Sequence, residues 1–167
     1  ASNKIPKLKK LKDWACIADT PVEYGIAKIS NMKTYKPQNN LRKEAKKVIT
    51  LLRKHKGVYF QIKDPDTFGH LGDKKGKTKA IEKIDKEFFS EIIKLDLTKH
   101  IIIVTADHST PCSRKAHGKE PTPLLITGIK KDKSKRFTEK ECKKGFLNLV
   151  QGQDLLKKVW DKIKQFI

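Results

Sequence analysis

At 167 residues, 37% hydrophobic and 35% charged, the chain is long enough to bury a sizeable core and reads as a single globular domain spanning 1–167. No apolar run approaches the ~20 residues that cross a bilayer, so a membrane protein of the helical kind is not expected. The net charge of +20 is spread along the whole chain and favours small anions; with 7% aromatic residues and no nucleic-acid module, dedicated nucleic-acid binding is not expected either.

Residues 1–10 are basic, lack the apolar centre of a signal peptide, and carry Pro6, so a flexible lead-in is expected. The run DWACIA at 13–18 predicts a short strand. Pro21 suits the first turn of a helix over 22–29, with Thr20 as its cap. Residues 31–40 read as a loop around Pro37. Leu41, Ala45, Val48, Ile49 and Leu52 keep helical spacing and predict a helix over 41–55, stopped by Gly57. VYFQI at 58–62 predicts a strand. The polar, glycine-rich KDPDTFGHLGDKKGK at 63–77 reads as a loop. A second amphipathic helix over 80–93 places Ile81, Ile84, Phe88 and Ile92 on one face.

The β-branched runs within 101–105 and 124–127, bounded by Pro and Gly, predict buried strands of the parallel type. Residues 130–138 form a charged segment expected to be flexible. The last helix, over 155–166, is expected to bury Leu156, Val159, Trp160 and Ile163. The alternation of helices and strands implies an α/β fold, with a mostly parallel or mixed sheet flanked by helices.

Two polar clusters follow predicted strands. Asp107 and His108 come directly after the strand at 101, and His117 lies nine residues further on. Asp64, Asp66, His70 and Asp73 occupy the stretch after 58–62. Ligand sites of open α/β sheets lie at the carboxyl ends of strands, which puts both clusters at one edge of a parallel pair. Two carboxylates and three imidazoles can hold two divalent ions, one on Asp66, His70 and His117, the other on Asp107 and His108. Such a donor set suits Mn, Zn or Co, and Mg where oxygen dominates; paired ions suit phosphoryl transfer. The competing reading is turn aspartates and solvated histidines. The three cysteines, Cys16, Cys112 and Cys142, are odd in number and show no paired spacing, which fits a reducing cytoplasm. Cys112 is expected as a small buried hydrophobe, not a ligand.

DHSTPCSRKAH with PTPLLITG, preceded by KDPDTFGHLGDKKGK and AIEKID, resembles the archaeal-type cofactor-independent phosphoglycerate mutases of the alkaline phosphatase superfamily. The likeness is strong over 57–128 and weaker through FTEKECKKGF and QGQDLL. Upstream, DWACIADTPVEYGIAKISNM is similar to the family segment that returns from the cap domain to the core. The resemblance implies a partial alkaline-phosphatase-like core and the same two metal assignments. It also marks Lys63 and Lys77 as partners for substrate phosphate or carboxylate. Four departures bear on function. The family's strand ending in Asp-Gly, its nucleophilic serine and its Gly-Ala-Thr-Gly loop near residues 37–40 have no match here, and Leu71 stands where an acidic residue is usual.

The chain is therefore expected to be the metal-binding, C-terminal half of a mutase interconverting 2- and 3-phosphoglycerate. Its serine would come from an N-terminal partner chain. The alternatives are a metal-dependent phosphatase or phosphodiesterase of the same superfamily, and a basic binding module without catalysis.

Overall fold

The computed structural model describes residues 11–128 and 131–164, with side chains to residue 161. The lead-in at 1–10, residues 129–130, the end of the last helix and the Ile163 side chain lie outside the described residues. The chain forms two compact units, one of residues 1–65 and 78–94, the other of 66–77 and 95–167.

The first unit is built on β1 (Trp14–Ile17), the middle strand of a parallel sheet of order β2-β1-β3. Its apolar run is buried on both faces; Ala15 and Ile17 are fully enclosed. Parallel neighbours need a crossover, and helices supply it. The first is α1 (Pro21–Ile29), where the Thr20 hydroxyl accepts from the amide of Glu23 and Pro21 fills the first turn, as expected. The second is α2 (Leu41–Leu52), which Asn40 caps through its side-chain oxygen on the amide of Lys43 at 3.0 Å. Both helices begin on residues whose short polar side chains satisfy otherwise orphaned amides.

β2 (Lys33–Tyr35) lies inside the stretch expected to be a loop. It is an edge strand with Lys33 and Thr34 exposed, so it has no apolar alternation and is held by backbone pairing of Ala15 with Lys33 and of Ile17 with Tyr35. β3 (Gly57–Phe60) begins on the glycine expected to stop the helix. Gly57 sits opposite Trp14, and a Cβ there would come within 2.5 Å of the indole ring. The absent side chain is what lets the tryptophan lie across the strand.

The stretch 63–77, expected as a loop, is helical: α3 (Asp64–Leu71) is followed by α4 (Lys74–Lys83). Pro65 stands in the first turn of α3, where its missing amide costs nothing. Asp73 accepts from the amide of Gly76 at 2.9 Å and so caps α4. After α4 the chain widens into a π-helical turn (Ile84–Phe89) and ends in α5 (Ser90–Ile92). The wider turn rotates the apolar stripe. Phe88 and Ile92 are buried as expected, whereas Ile81 falls off that face and is 52% exposed. The Phe88 ring lies against Phe60, centres 5.2 Å apart and tilted by 35°, and α2 packs against the π-turn, α5 and β3.

In the second unit β4 (Ile103–Val104) pairs with β5 (Leu125–Ile126), and the pairing is antiparallel. The expectation of a parallel arrangement for these runs is corrected, and so is that of burial: Ile101 and Leu125 are each 36% exposed. A run of β-branched residues encodes extended backbone but not the direction of its neighbour. Further on, Thr138 caps the short α6 (Glu139–Cys142), and α7 (Leu155–Lys164) closes the described chain. Val159 is buried as expected; Trp160 remains 38% exposed.

Candidate metal centre

Every group of this centre belongs to the second unit. Because 64–71 is helical, Asp66 and His70 stand four residues apart on one face of α3, with His70 Nε2 at 3.5 Å from Asp66 Oδ1. Gly69, between them, is buried against the backbone of Thr110; a Cβ there would meet the Thr110 carbonyl at 2.5 Å. The helix therefore approaches the segment after β4 closely enough for side chains of both to interlock.

That segment carries Asp107, His108 and Thr110. His108 Nε2 lies 3.6 Å from Asp107 Oδ2, and His108 Nδ1 lies 4.0 Å from Asp66 Oδ1. An isolated antiparallel bridge joins Ser109 to Gly118, with the Gly118 amide donating to the Ser109 carbonyl at 2.8 Å. This bridge folds the chain back so that His117 stacks on His108, ring centres 3.6 Å apart, and faces His70 at 5.0 Å. Glu120 secures the fold-back through an ion pair with Arg114 and a hydrogen bond from the Ser109 hydroxyl at 2.9 Å. The Arg114 contact, the Glu120 backbone amide and Ser109 hold the Glu120 carboxyl well down, at about 2.

Asp66, His70 and His117 each offer a ligand atom, and all three atoms lie within 4.8 Å of one another. Donors on one ion at ~2.0–2.2 Å are at most about 4.4 Å apart, so these three need only a small inward movement to share a cation. The donor set fits a divalent ion chemically. His70 Nδ1 donates to the Lys115 carbonyl at 3.1 Å, which leaves its Nε2 lone pair on the Asp66 side. Lys115 reaches that position with a left-handed backbone, φ 53°, uncommon for a residue with a side chain and here placed beside the centre. Partial burial alone would raise the Asp66 carboxyl. The Thr110 hydrogen bond and the nearby His70, His108 and His117 outweigh it, so the group sits below the usual carboxylate range.

Three of the five histidines thus converge. The other two lie elsewhere: His55 pairs with the Tyr35 hydroxyl in the first unit, and His100 bonds the Asp96 carbonyl. Lys77 donates to the Thr110 carbonyl at 2.8 Å, which places its ammonium at the back of the same segment. Lys63 belongs to the first unit, where it pairs with the buried Glu23 at 2.7 Å. Cys112 is half-buried with its thiol toward the Phe68 carbonyl and is not among the three converging ligands. Thr110 was given no role by sequence reasoning. It lies inside the quoted Asp-His-Ser-Thr-Pro run, but nothing in its type or spacing announces that its hydroxyl would meet a residue 44 positions upstream.

Residues 14–161 match the model of the metalloenzyme superfamily. The chain is 36% identical over 162 residues to the 2,3-bisphosphoglycerate-independent phosphoglycerate mutase of Pyrococcus abyssi, a match covering 92% of this chain and 39% of that protein. It is also 36% identical over 155 residues to a probable enzyme of the same name from Thermosipho africanus, covering 92% and 38%. The solved structure of the PH0037 protein from Pyrococcus horikoshii superposes with a TM-score of 0.89 at 31% identity, covering 96% of this chain and 45% of that one. The chain spans about two-fifths of the length of the curated relatives it matches.

Proposed function

The chain belongs to the metalloenzyme superfamily, and from that premise we propose that it is the metal-binding portion of a phosphoglycerate mutase interconverting 2- and 3-phosphoglycerate. The observation that carries the reading is the convergence of Asp66, His70 and His117 in a chain similar to such mutases over nearly all its length. Asp66, His70 and His117 hold one divalent ion, and Asp107 with His108 supplies part of a second site. Bound ions would neutralise charge on a phosphoryl group and favour the ionised form of an attacking hydroxyl.

This chain's own residues present the donors and keep them oriented. The Lys115 carbonyl sets the His70 ring, the Ser109–Gly118 bridge sets His117, and Lys77 supplies positive charge for a substrate phosphate or carboxylate. The nucleophilic serine and the remaining ligand of the second ion come from an N-terminal portion, whether on the same polypeptide or on a partner chain. Ser109 is bonded to Glu120 and is not assigned that role.

The test is a coupled assay of 3-phosphoglycerate conversion on the purified 167-residue chain with added Mn²⁺, Co²⁺ or Zn²⁺, alone and with a co-expressed N-terminal portion of a relative. Turnover only in the pair is expected. Full turnover by the chain alone would mean that the nucleophile is among these residues. Release of inorganic phosphate without isomerisation would replace the mutase with a phosphatase.

A further inference from the structure

We infer that the Thr110 side chain is a positioning group that ties the two metal half-sites together, holding the Asp66 carboxylate and setting the tautomer of His108. The inference rests on the two-ion reading above and concerns how its ligands are held. Thr110 is 5% exposed, and its hydroxyl lies 2.5 Å from Asp66 Oδ1 and 3.1 Å from His108 Nδ1. Its carbonyl accepts from Lys77, and Gly69 lets α3 pack directly on its backbone. Thr110 is thereby fixed from both sides, so its hydroxyl is a stationary group and not a wandering surface one.

The proton count leaves a single arrangement. A hydroxyl has one proton to give, and an ionised carboxylate can only accept. At 2.5 Å the Thr110 proton must lie toward Asp66, since two bare oxygens at that distance would repel. The hydroxyl then has only lone pairs left for His108, so His108 Nδ1 carries the hydrogen. In the neutral imidazole, the His108 Nε2 lone pair is then exposed on the side where Asp107 Oδ2 stands, 3.6 Å away. His70 reaches the same tautomer by a separate route, its Nδ1–H meeting the Lys115 carbonyl. Both rings therefore present Nε2 to a carboxylate, one through a backbone carbonyl and the other through Thr110. Asp66, with Oδ1 engaged by Thr110, keeps its remaining lone pairs for the ion it would share with His70 and His117.

The experiment uses the full chain labelled with ¹⁵N-histidine, metal-free, above the imidazole titration range. The His108 ring should show the Nδ1–H tautomer; a predominant Nε2–H tautomer in the wild type would overturn the inference. Thr110→Val, which keeps the shape and removes the hydroxyl, should move His108 toward Nε2–H. It should also weaken Zn²⁺ binding by about 10- to 100-fold, the usual cost of losing a group that orients a ligand. Thr110→Ser should restore both. If Thr110→Val does not fold, the wild-type tautomer and Thr110→Ser still decide the matter. Unchanged tautomer and Zn²⁺ affinity in a folded Thr110→Val would refute the role while leaving the metal reading intact. Failure of the wild type to bind Zn²⁺ would remove the metal reading instead, with the tautomer still reporting on Thr110.

Discussion

The sheet of the first unit and the strand pair of the second are made of similar residues and end in different states. β1 is a short apolar strand, WACI, with a parallel neighbour on each side and with Ala15, Cys16 and Ile17 buried. β4 and β5 are shorter, antiparallel, and partly exposed, yet they carry the segment that holds Asp107, His108 and Thr110. In the first unit apolar burial does the structural work. In the second, polar contacts around Thr110 and Glu120 organise a segment with little regular structure. The contrast teaches that the second unit has traded burial for a cluster of donors.

The largest effect should come from cutting into the enclosed strand. Ile17→Ala is expected to cost about 2–5 kcal/mol in denaturant unfolding, whereas Leu125→Ala, one-third exposed, should cost about 1 kcal/mol or less. Equal costs would erase the contrast.

Next in size is His70→Ala. Zn²⁺ affinity at the first site should fall by roughly 100-fold, about 2.7 kcal/mol, with the stability of the metal-free chain little changed because the ring is exposed. Asp107→Ala should leave that first site nearly as it was and weaken only the second. Calorimetric titration of both variants separates the two sites; an unaltered stoichiometry and affinity in the His70 variant would remove the assignment.

Gly69→Ala probes a place where the second unit is packed as closely as Gly57 is in the first. The new methyl would press on the Thr110 carbonyl and its Cγ2, 2.5 and 2.9 Å from the ideal Cβ. A loss of about 1–3 kcal/mol is expected, together with weaker metal binding as Thr110 shifts. A wild-type melting curve would show that α3 and this segment are free to separate.

The smallest effect is electrostatic. Glu120, held at about 2 against an ordinary 4.5, binds fewer protons folded than unfolded between those values. Its contribution is therefore complete above about pH 4.5 and is lost as the pH falls toward 2. The Glu120 carboxyl resonance should titrate near 2 in the wild type and move toward 4.5 in Arg114→Ala. A carboxyl already protonating near 4.5 in the wild type would mean that the fold-back is not clamped by Arg114.

Much of the first unit was legible because its signals are local. Thr20 before Pro21, and the spacing from Leu41 to Leu52, place two helices without reference to anything distant. The metal candidates were legible as residue types following strand-like runs, and Asp66, His70 and His117 do meet. The helices at 64–83 were not, because the glycines and charges that suggest a loop act here as a packing gap at Gly69 and a cap at Asp73. β2 was hidden for the opposite reason: an edge strand drawn in by backbone pairing needs no pattern in its side chains.

The sequence by itself determined the chemistry available: which carboxylates and imidazoles exist, which follow extended runs, and which helices begin where. Tertiary structure alone decided the direction of β5 against β4, the loss of Ile81 from its stripe, and the meeting of Thr110 with Asp66. Each of these depends on a partner many residues away, or on one inserted residue in a helical turn. Local propensity is blind to both, since it reflects the preferences of a few neighbouring dihedrals and not the proton or the surface that a distant residue brings.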